Sequence, residues 1–310
     1  VLLSPPAPDL PVLNGVGPSR VVLPSGNWLT ILDFLSERFP HVDKLQWQAR
    51  MLERKVLKHD GSAVHPEEPY QPHQPIFYYR HVDTELALPF SVKVLFEDEH
   101  LVVADKPHFM PVTPGGRHLQ NSVLVQLKHA TGCRTLSPVH RLDRETAGLV
   151  LLCKQAGDRA AYHAMFRQHR VHKSYEAVAG YREELMTPKV HRSRIEDDPR
   201  FFLSREVTGE PNSETRVRML KRLDESALYL LEPVTGRRHQ LRLHMWSLGA
   251  PVFGDQFYPA VIRGPSEPDD FSSPLQLLAK RLAFIDPVTG QQREWSSQQT
   301  LKLSEEHAPV

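Results

Sequence analysis

The run Gly148-Leu149-Val150-Leu151-Leu152-Cys153 limits the fold more than any other stretch of this chain. A short continuous apolar run of this kind, with no polar alternation, reads as a strand buried on both faces. Directly ahead of it stand His140-Arg141-Leu142-Asp143-Arg144. The strand therefore carries a carboxylate at its mouth, flanked by Arg141 and Arg144, and nearby positive charge favours the ionised form of an acid. On these residues alone, a structural Arg–Asp pair and a functional carboxylate are equally good readings.

A chain of 310 residues is long enough for one large domain and a smaller one. Its net charge of +1 does not itself point to nucleic acid, so local patches must decide. Cys133 and Cys153 provide no disulfide framework, and the place of Cys153 inside the apolar run suits a reducing, cytoplasmic setting. No apolar run approaches the ~18 residues of a membrane span, and no membrane partner is expected. The start, VLLSPPAPDLPV, lacks the basic and long apolar regions of a signal peptide. The 17 histidines raise the question of a metal hydrolase, but His239 and His244 are five apart and neither HExxH nor paired CxxC occurs. Structural roles are expected for most of them.

Residues 1–25 include Pro5, Pro6, Pro8, Pro11, Pro18 and Pro24 and are expected to form an extended arm that packs on the body. Residues 26–89 read as a small helix-hairpin module followed by a linker. Trp28, Ile31, Leu32, Leu35 and Phe39 recur at helical spacing until Pro40. A second helix starts at Asp43 as cap, with Leu45, Ala49 and Leu52 inward and Arg50 and Arg54 outward. Asp60-Gly61 inside Val56–Val64 signals a hairpin. Arg50, Arg54, Lys55 and Lys58 then form a basic face suited to neutralising phosphates, the alternative being a plain helical cap. One strand, Ile76–Tyr79, interrupts the linker, and the boundary falls near Pro89.

From residue 90 to 310 the pattern is strand-rich and irregular, which argues for α+β and against a regular βαβ series. Strands are expected at Val92–Phe96 and Leu101–Ala104, near Thr215–Leu220 and at Leu228–Leu231. Helices are expected at about Ser122–Ala130, Ala156–His169 and His239–Leu248, the last with Gly249 as C-cap. Residues 182–213 read as a variable insertion whose Lys189, His191, Arg192 and Arg194 offer a basic patch.

A second stretch, Val234–Gly254 (VTGRRHQLRLHMWSLGAPVFG), moves the balance. With the HRLD segment ahead of it, in this order and spacing, it closely resembles the RluA family of RNA pseudouridine synthases, over about Val92 to Trp295. The resemblance implies a mixed, largely antiparallel sheet with flanking helices and a central catalytic cleft. It also implies isomerisation of specific uridines in ribosomal or transfer RNA. Asp143 is then the catalytic aspartate, Tyr175 of Lys173-x-Tyr175-x-Ala177 the active-site tyrosine, and Arg242 the cation that orients the aspartate through a bidentate pair. Arg141 would enter the RNA to help flip the target base. His140, Lys173, Arg237 and Arg238, with Arg170 and His172, are candidates for RNA contact. The small module, with its Arg50, Arg54 and Lys58, resembles the RNA-binding module of the ribosomal-protein type that often precedes this domain.

Two departures stand out. In the first motif, Asp105–Pro114, Phe109 replaces a glycine and Thr113 a histidine; in the last, Leu275–Phe284, Leu278 replaces a histidine. The reaction changes no oxidation state, so no cofactor and no metal are expected, and RNA is the expected partner of a monomer. An inactive RNA-binding protein on the same fold is the competing reading. The joint presence of Asp143, Tyr175 and Arg242 weighs against it.

Overall fold

The computed structural model describes residues 10–80, 85, 87–200, 202–264 and 267–305. Its contacts divide the chain into two compact units, Val1–Glu85 and Leu86–Val310.

The first unit contains β1 (Ser19–Val22), α1 (Ile31–Arg38), α2 (Lys44–Leu52), β2 (Val56–Leu57) and β3 (Pro75–Tyr78). Thr30 starts α1 with a reciprocal capping box to Asp33, which satisfies two backbone donors at the helix end. Asp43 caps α2 through the Leu45 N–H at 2.7 Å. The buried stripe of α2 is Trp47 and Met51, whereas Leu45 and Leu52 are 72% and 66% exposed, which corrects the expected inner face. Trp47 packs edge-on against Tyr78 and tilted against Phe39, so the largest ring sets how the helix turns. The Asp60-Gly61 hairpin forms, with Gly61 at φ +82° and the Lys58 N–H bonded to Ser62 O. Both β1 and β2 pair with β3, so part of the segment read as an arm is an edge strand. Its first nine residues lie outside the described ones. Of the basic residues, Lys58 is paired with Glu68 at 2.6 Å and the Arg50 guanidinium lies over Trp47 at 5.0 Å. Arg54 is exposed, just beyond α2.

The second unit runs β4 (Lys93–Glu97), β5 (Leu101–Lys106), α3 (Val123–Thr131), β6 (Ser137–Pro138), β7 (Ala147–Cys153), α4 (Arg159–Arg167), β8 (Val171–Gly180), β9 (Lys189–Asp197), β10 (Ser204–Val207), β11 (Ser213–Leu223), β12 (Ser226–Pro233), α5 (Gln240–Ser247), β13 (Leu277–Ile285), β14 (Gln292–Ser296) and α6 (Lys302–Glu305). One mixed sheet holds them in the order β10-β9-β11-β12-β8-β13-β7-β5-β4, with β14 on β13 and β6 on β7. Among the described strand pairs only β13 and β7 run parallel.

Strand β7 is buried along its whole length because helices cover both faces. Leu149, Leu151 and Cys153 meet Tyr162 and Met165 of α4, while Val150 and Leu152 meet Val123 and Leu127 of α3. Each such side chain contributes about 1.5–3 kcal/mol. At Gly148 the backbone has φ +110°, and a Cβ there would lie 2.3 Å from Ala279 O, so only glycine lets β13 come this close. Ala279 pairs with Gly148 on one side and Tyr175 on the other, and Tyr175 with Leu231. This row crosses the middle of the sheet and fixes where the strand mouth of β7 meets β8. Leu278 packs with Ala147, Val178 and Leu301, which accounts for leucine at that position.

The insertion is not a loop: β9 and β10 extend the sheet. Its basic residues are largely paired, Arg192 with Glu214 at 2.7 Å, Arg194 with Glu196 at 2.8 Å and His191 with Glu206 at 3.0 Å, so the expected patch is mostly neutralised.

Candidate active site

A cleft of about 790 Å³ opens over the middle of the second unit. The loop before β7, strand β8, the loop after β12 and the start of α5 line it. That volume lies within the usual range for a small-molecule pocket.

Asp143 sits in it with its side chain 28% exposed. Its Oδ2 is 3.6 Å from Arg242 Nη1 and 4.0 Å from His239 Nε2. Arg242 is only 1% exposed, and its bidentate partner is Asp255, at 2.7 Å from Nε and 2.6 Å from Nη2. The expected bidentate pair with Asp143 is thus corrected. Asp255 takes two donors of the planar fork, which leaves Nη1 without a hydrogen bond and aimed at Asp143, with Glu145 Oε2 at 3.9 Å. The guanidinium also stacks over Phe257 at 4.9 Å. Burial works to lower the Arg242 pKa, but the bonds from Asp255 and the charges of Asp255, Asp143 and Glu145 outweigh it and raise it. Asp255 is held in turn by the N–H groups of Phe257 and Tyr258 at 2.8 and 3.1 Å.

Arg144 does not flank Asp143 as the sequence suggested. It turns away to Asp269 at 2.8 Å and Glu145 at 2.9 Å. A different cation lies below. Lys106 is fully buried and donates to the carbonyls of Pro107, Met110 and Arg144, at 3.0, 2.8 and 3.0 Å. It thereby ties the first motif to the Asp143 loop. Burial pushes its pKa down to about 7, against the opposing charges of Glu145 and Asp143. Within that motif Phe109 keeps the glycine-like backbone at φ +64°, and its ring sits against Phe271 at 5.1 Å and Phe90 at 6.3 Å. Aromatic packing holds the loop where glycine would have made it easy.

Tyr175 projects from β8 into the cleft. Burial raises its pKa, with the Asp143 charge adding to the effect, so the phenol is held protonated. His239 adopts φ +56° at the cap of α5. Tyr258 Oη donates to Ser204 O at 3.0 Å, so in its 2.8 Å bond with His239 the imidazole Nδ1–H is the donor. The Nε2 lone pair then faces Asp143. Gln240 accepts from Thr235 Oγ1 and Arg237 N at 2.7 and 3.0 Å, and so shapes the loop ahead of α5.

Of the remaining sequence-selected residues, Arg141, Lys173 and Arg237 line the cleft, as does His140. His140 Nε2 already accepts the Leu151 N–H at 3.1 Å and its ring stacks on Phe166 at 4.7 Å. Arg238 is not in the lining. It binds Ser204 Oγ at 3.0 Å, the Leu203 carbonyl and Asp197 at 3.0 Å, and so fastens β10. Arg170 and His172 are not in the lining either. Sequence reasoning missed Asp255, Glu145, Lys106 and His239, and also His163 and Arg167, which reach the cleft from one face of α4. The i, i+4 spacing of the last two was a usable signal.

The fold is that of a pseudouridine synthase: the human RNA pseudouridylate synthase domain containing 1 superposes with a TM-score of 0.56 at 21% identity, covering 70% of this chain and 86% of that one. The RNA pseudouridylate synthase family model matches residues 100–247. A Synechocystis RNA pseudouridine synthase is 35% identical over 232 residues, spanning 74% of this chain and 79% of the relative. The dual-specificity RNA pseudouridine synthase RluA of Vibrio cholerae is 34% identical over 197 residues, 63% of this chain and 78% of the relative. This chain belongs to the RluA family of RNA pseudouridine synthases.

Proposed function

We propose that this protein converts specific uridines of structured RNA, ribosomal or transfer, into pseudouridine, with Asp143 as the catalytic carboxylate. The observation that carries this reading is the Asp143 carboxylate inside a nucleotide-sized cleft, 3.6 Å from the unpaired Nη1 of an otherwise fixed, buried arginine.

The reaction breaks N1–C1′, turns the freed uracil and joins C5 to C1′, with the C5 proton lost and N1 protonated. Asp143 attacks C1′ or takes the proton from C2′; both routes need the carboxylate at the same place. Arg242 orients it, because Asp255 leaves the guanidinium no other rotation. Tyr175 is the wall on which the loose base turns, by stacking. Its phenol, held protonated by burial, is a hydrogen-bond donor beside that base. A ribose hydroxyl beside them gives its one proton to either of two acceptors, Asp143 Oδ2 or His239 Nε2. A uridine in folded RNA must leave its stack to arrive there, and exposed Arg141 is placed at the cleft to fill the gap. Arg167, Lys173 and Arg237 receive the flanking phosphates. Residues 26–89 supply a further RNA contact through Arg50, Arg54 and Lys58. In this reading the protein acts as a cytoplasmic monomer, and no metal takes part in the chemistry.

A pseudouridine map of total RNA from cells with and without the gene, complemented by wild type or Asp143→Asn, tests the proposal. The expected result is a site lost on deletion and recovered with wild type alone. Recovery with Asp143→Asn refutes the assignment of the carboxylate, and an unchanged map refutes the activity on that RNA pool.

A further inference from the structure

Away from Asp143, α5 covers a row of polar side chains on β9, β10 and β11. The register pairs Ser213 with Ser193, Thr215 with His191 and Glu206 with Ile195, so His191, Ser193, Glu206, Ser213 and Thr215 share one face. His244, 0% exposed, comes down onto it from α5. Its Nδ1 is 2.8 Å from Thr215 Oγ1, and its Nε2 is 3.8 Å from Glu206 Oε1. His191 Nε2 is 3.0 Å from the same oxygen, and the two imidazole rings are 4.6 Å apart.

Ser213 gives its one hydroxyl hydrogen to Ser193 O at 2.7 Å, and Ser247 gives its own to Glu206 Oε2 at 2.8 Å. Burial pushes the His244 pKa down to about 4, while Glu206, despite its own burial, is brought to about 2 by hydrogen bonds from His191, Ser247 and Ser193; a bound ion takes the place of the proton that His191 Nε2 shares with Glu206. When Nδ1–H is on Thr215, the His244 Nε2 lone pair faces the Ser193 and Ser213 hydroxyls, each at 3.1 Å, with the Glu206 carboxylate at 3.8 Å and the His191 ring beside them, and a bound ion displaces those hydroxyl contacts. Thr215 is then the partner that fixes the tautomer of a metal-binding histidine, and Ser247 does the same for the carboxylate.

The three atoms His191 Nε2, Glu206 Oε1 and His244 Nε2 all lie within 4.8 Å of one another. A tetrahedral zinc ion holds nitrogen and oxygen ligands at about 2.0–2.2 Å, which sets them roughly 3.3–3.6 Å apart. The separations of 3.0 and 3.8 Å bracket that spacing. Two imidazoles with one carboxylate suit a borderline divalent transition metal and not calcium or magnesium, which take oxygen.

We propose that His191, Glu206 and His244 bind one divalent transition-metal ion of the zinc class, pinning the β9–β10 end of the sheet to α5, the helix that carries Arg242. The ion is structural. It takes no part in the isomerisation, and it stabilises the folded chain because the unfolded one has no such site.

The test uses the full chain, stripped with a chelator and dialysed, then titrated with Zn²⁺ by calorimetry and with Co²⁺ by visible absorption. The expected result is one saturable ion per chain at micromolar Kd or tighter, an intense tetrahedral Co²⁺ band and a higher Tm with Zn²⁺. His191→Gln and Glu206→Gln, both at partly exposed positions, should each weaken Zn²⁺ at least tenfold while keeping the far-UV spectrum of wild type. No saturable uptake by wild type overturns the proposal, and so does uptake that both folded variants retain. If either variant fails to fold, a wild-type Co²⁺ spectrum without the tetrahedral band overturns it by itself.

Discussion

At the scale of single residues, the site is a chain of constraint that ends on one oxygen. Backbone N–H groups hold Asp255, Asp255 holds Arg242, and Arg242 presents its last nitrogen to Asp143. Asp143→Asn should lower single-turnover product formation by more than about 10³-fold, the scale of a lost acid–base group, while filter binding to the same RNA is retained. Asp255→Asn removes one charge of a buried pair and leaves the other. It should cost about 3–5 kcal/mol in denaturant unfolding and depress kcat with little change in RNA affinity. Asp143 was singled out in the sequence only when the HRLD segment was read together with Val234–Gly254, since the segment alone left a structural pair and a functional carboxylate level. Asp255 was not: it stands one position beyond Gly254, where the second motif as read comes to an end, and its bond to Arg242 exists only because the chain turns back at Gly254, with φ +73°. Arg144 misled for the same reason, since its partner Asp269 is 125 residues away and no local spacing announces it.

At the scale of elements, packing decides between alternatives that pattern leaves level. Helix α2 offered two apolar stripes, and the one bearing Trp47 won because a ring of that size has more area to remove from water than Leu45 or Leu52. By contrast β7 had no alternative, since a run without alternation has no outer face. The loop at Phe109 sets two effects against each other. Phe109→Gly relieves a left-handed backbone worth about 1–2 kcal/mol, but it empties a ring site between Phe90 and Phe271, where large-to-small changes cost about 3–5 kcal/mol. The variant should therefore be less stable by roughly 2 kcal/mol in chemical denaturation. In the first unit, Arg50, Arg54 and Lys58 replaced together by Ala should weaken RNA binding and reduce the slope of log K against log salt. Because Lys58 already faces Glu68, the slope should fall by about one to two and not by three. An unchanged slope would make the unit a cap.

For the whole molecule, buried imidazoles set the acid limit, two of them besides His244. Burial pushes His140 down to about 3, with the Lys173 charge adding, and His108 down to about 4. Both titrate near 6.5 once unfolded, so between that pH and about 4 the unfolded chain binds more protons than the folded one. Stability must then fall as pH falls through this window, by roughly 1 kcal/mol per pH unit for each group, and be indifferent to them above it. Urea midpoints from pH 7.5 to 4.5 check the sign, and His140→Gln should flatten the curve. Above pH 7 Lys106 acts in the same direction, since its folded pKa near 7 lies below the unfolded one and stability rises as the free lysine deprotonates.

The place of β13 bears on how the enzyme comes into being on the ribosome. Asp143 belongs to the β4–β5–β7 side of the sheet, Tyr175 and Arg242 to the side of β8 and α5, and Leu277–Ile285 is the strand between them. Asp143, Tyr175 and Arg242 all precede that strand in the chain, the last of them by 35 residues. The strand that abuts Gly148 and joins the two halves of the sheet is made after the side chains it brings together.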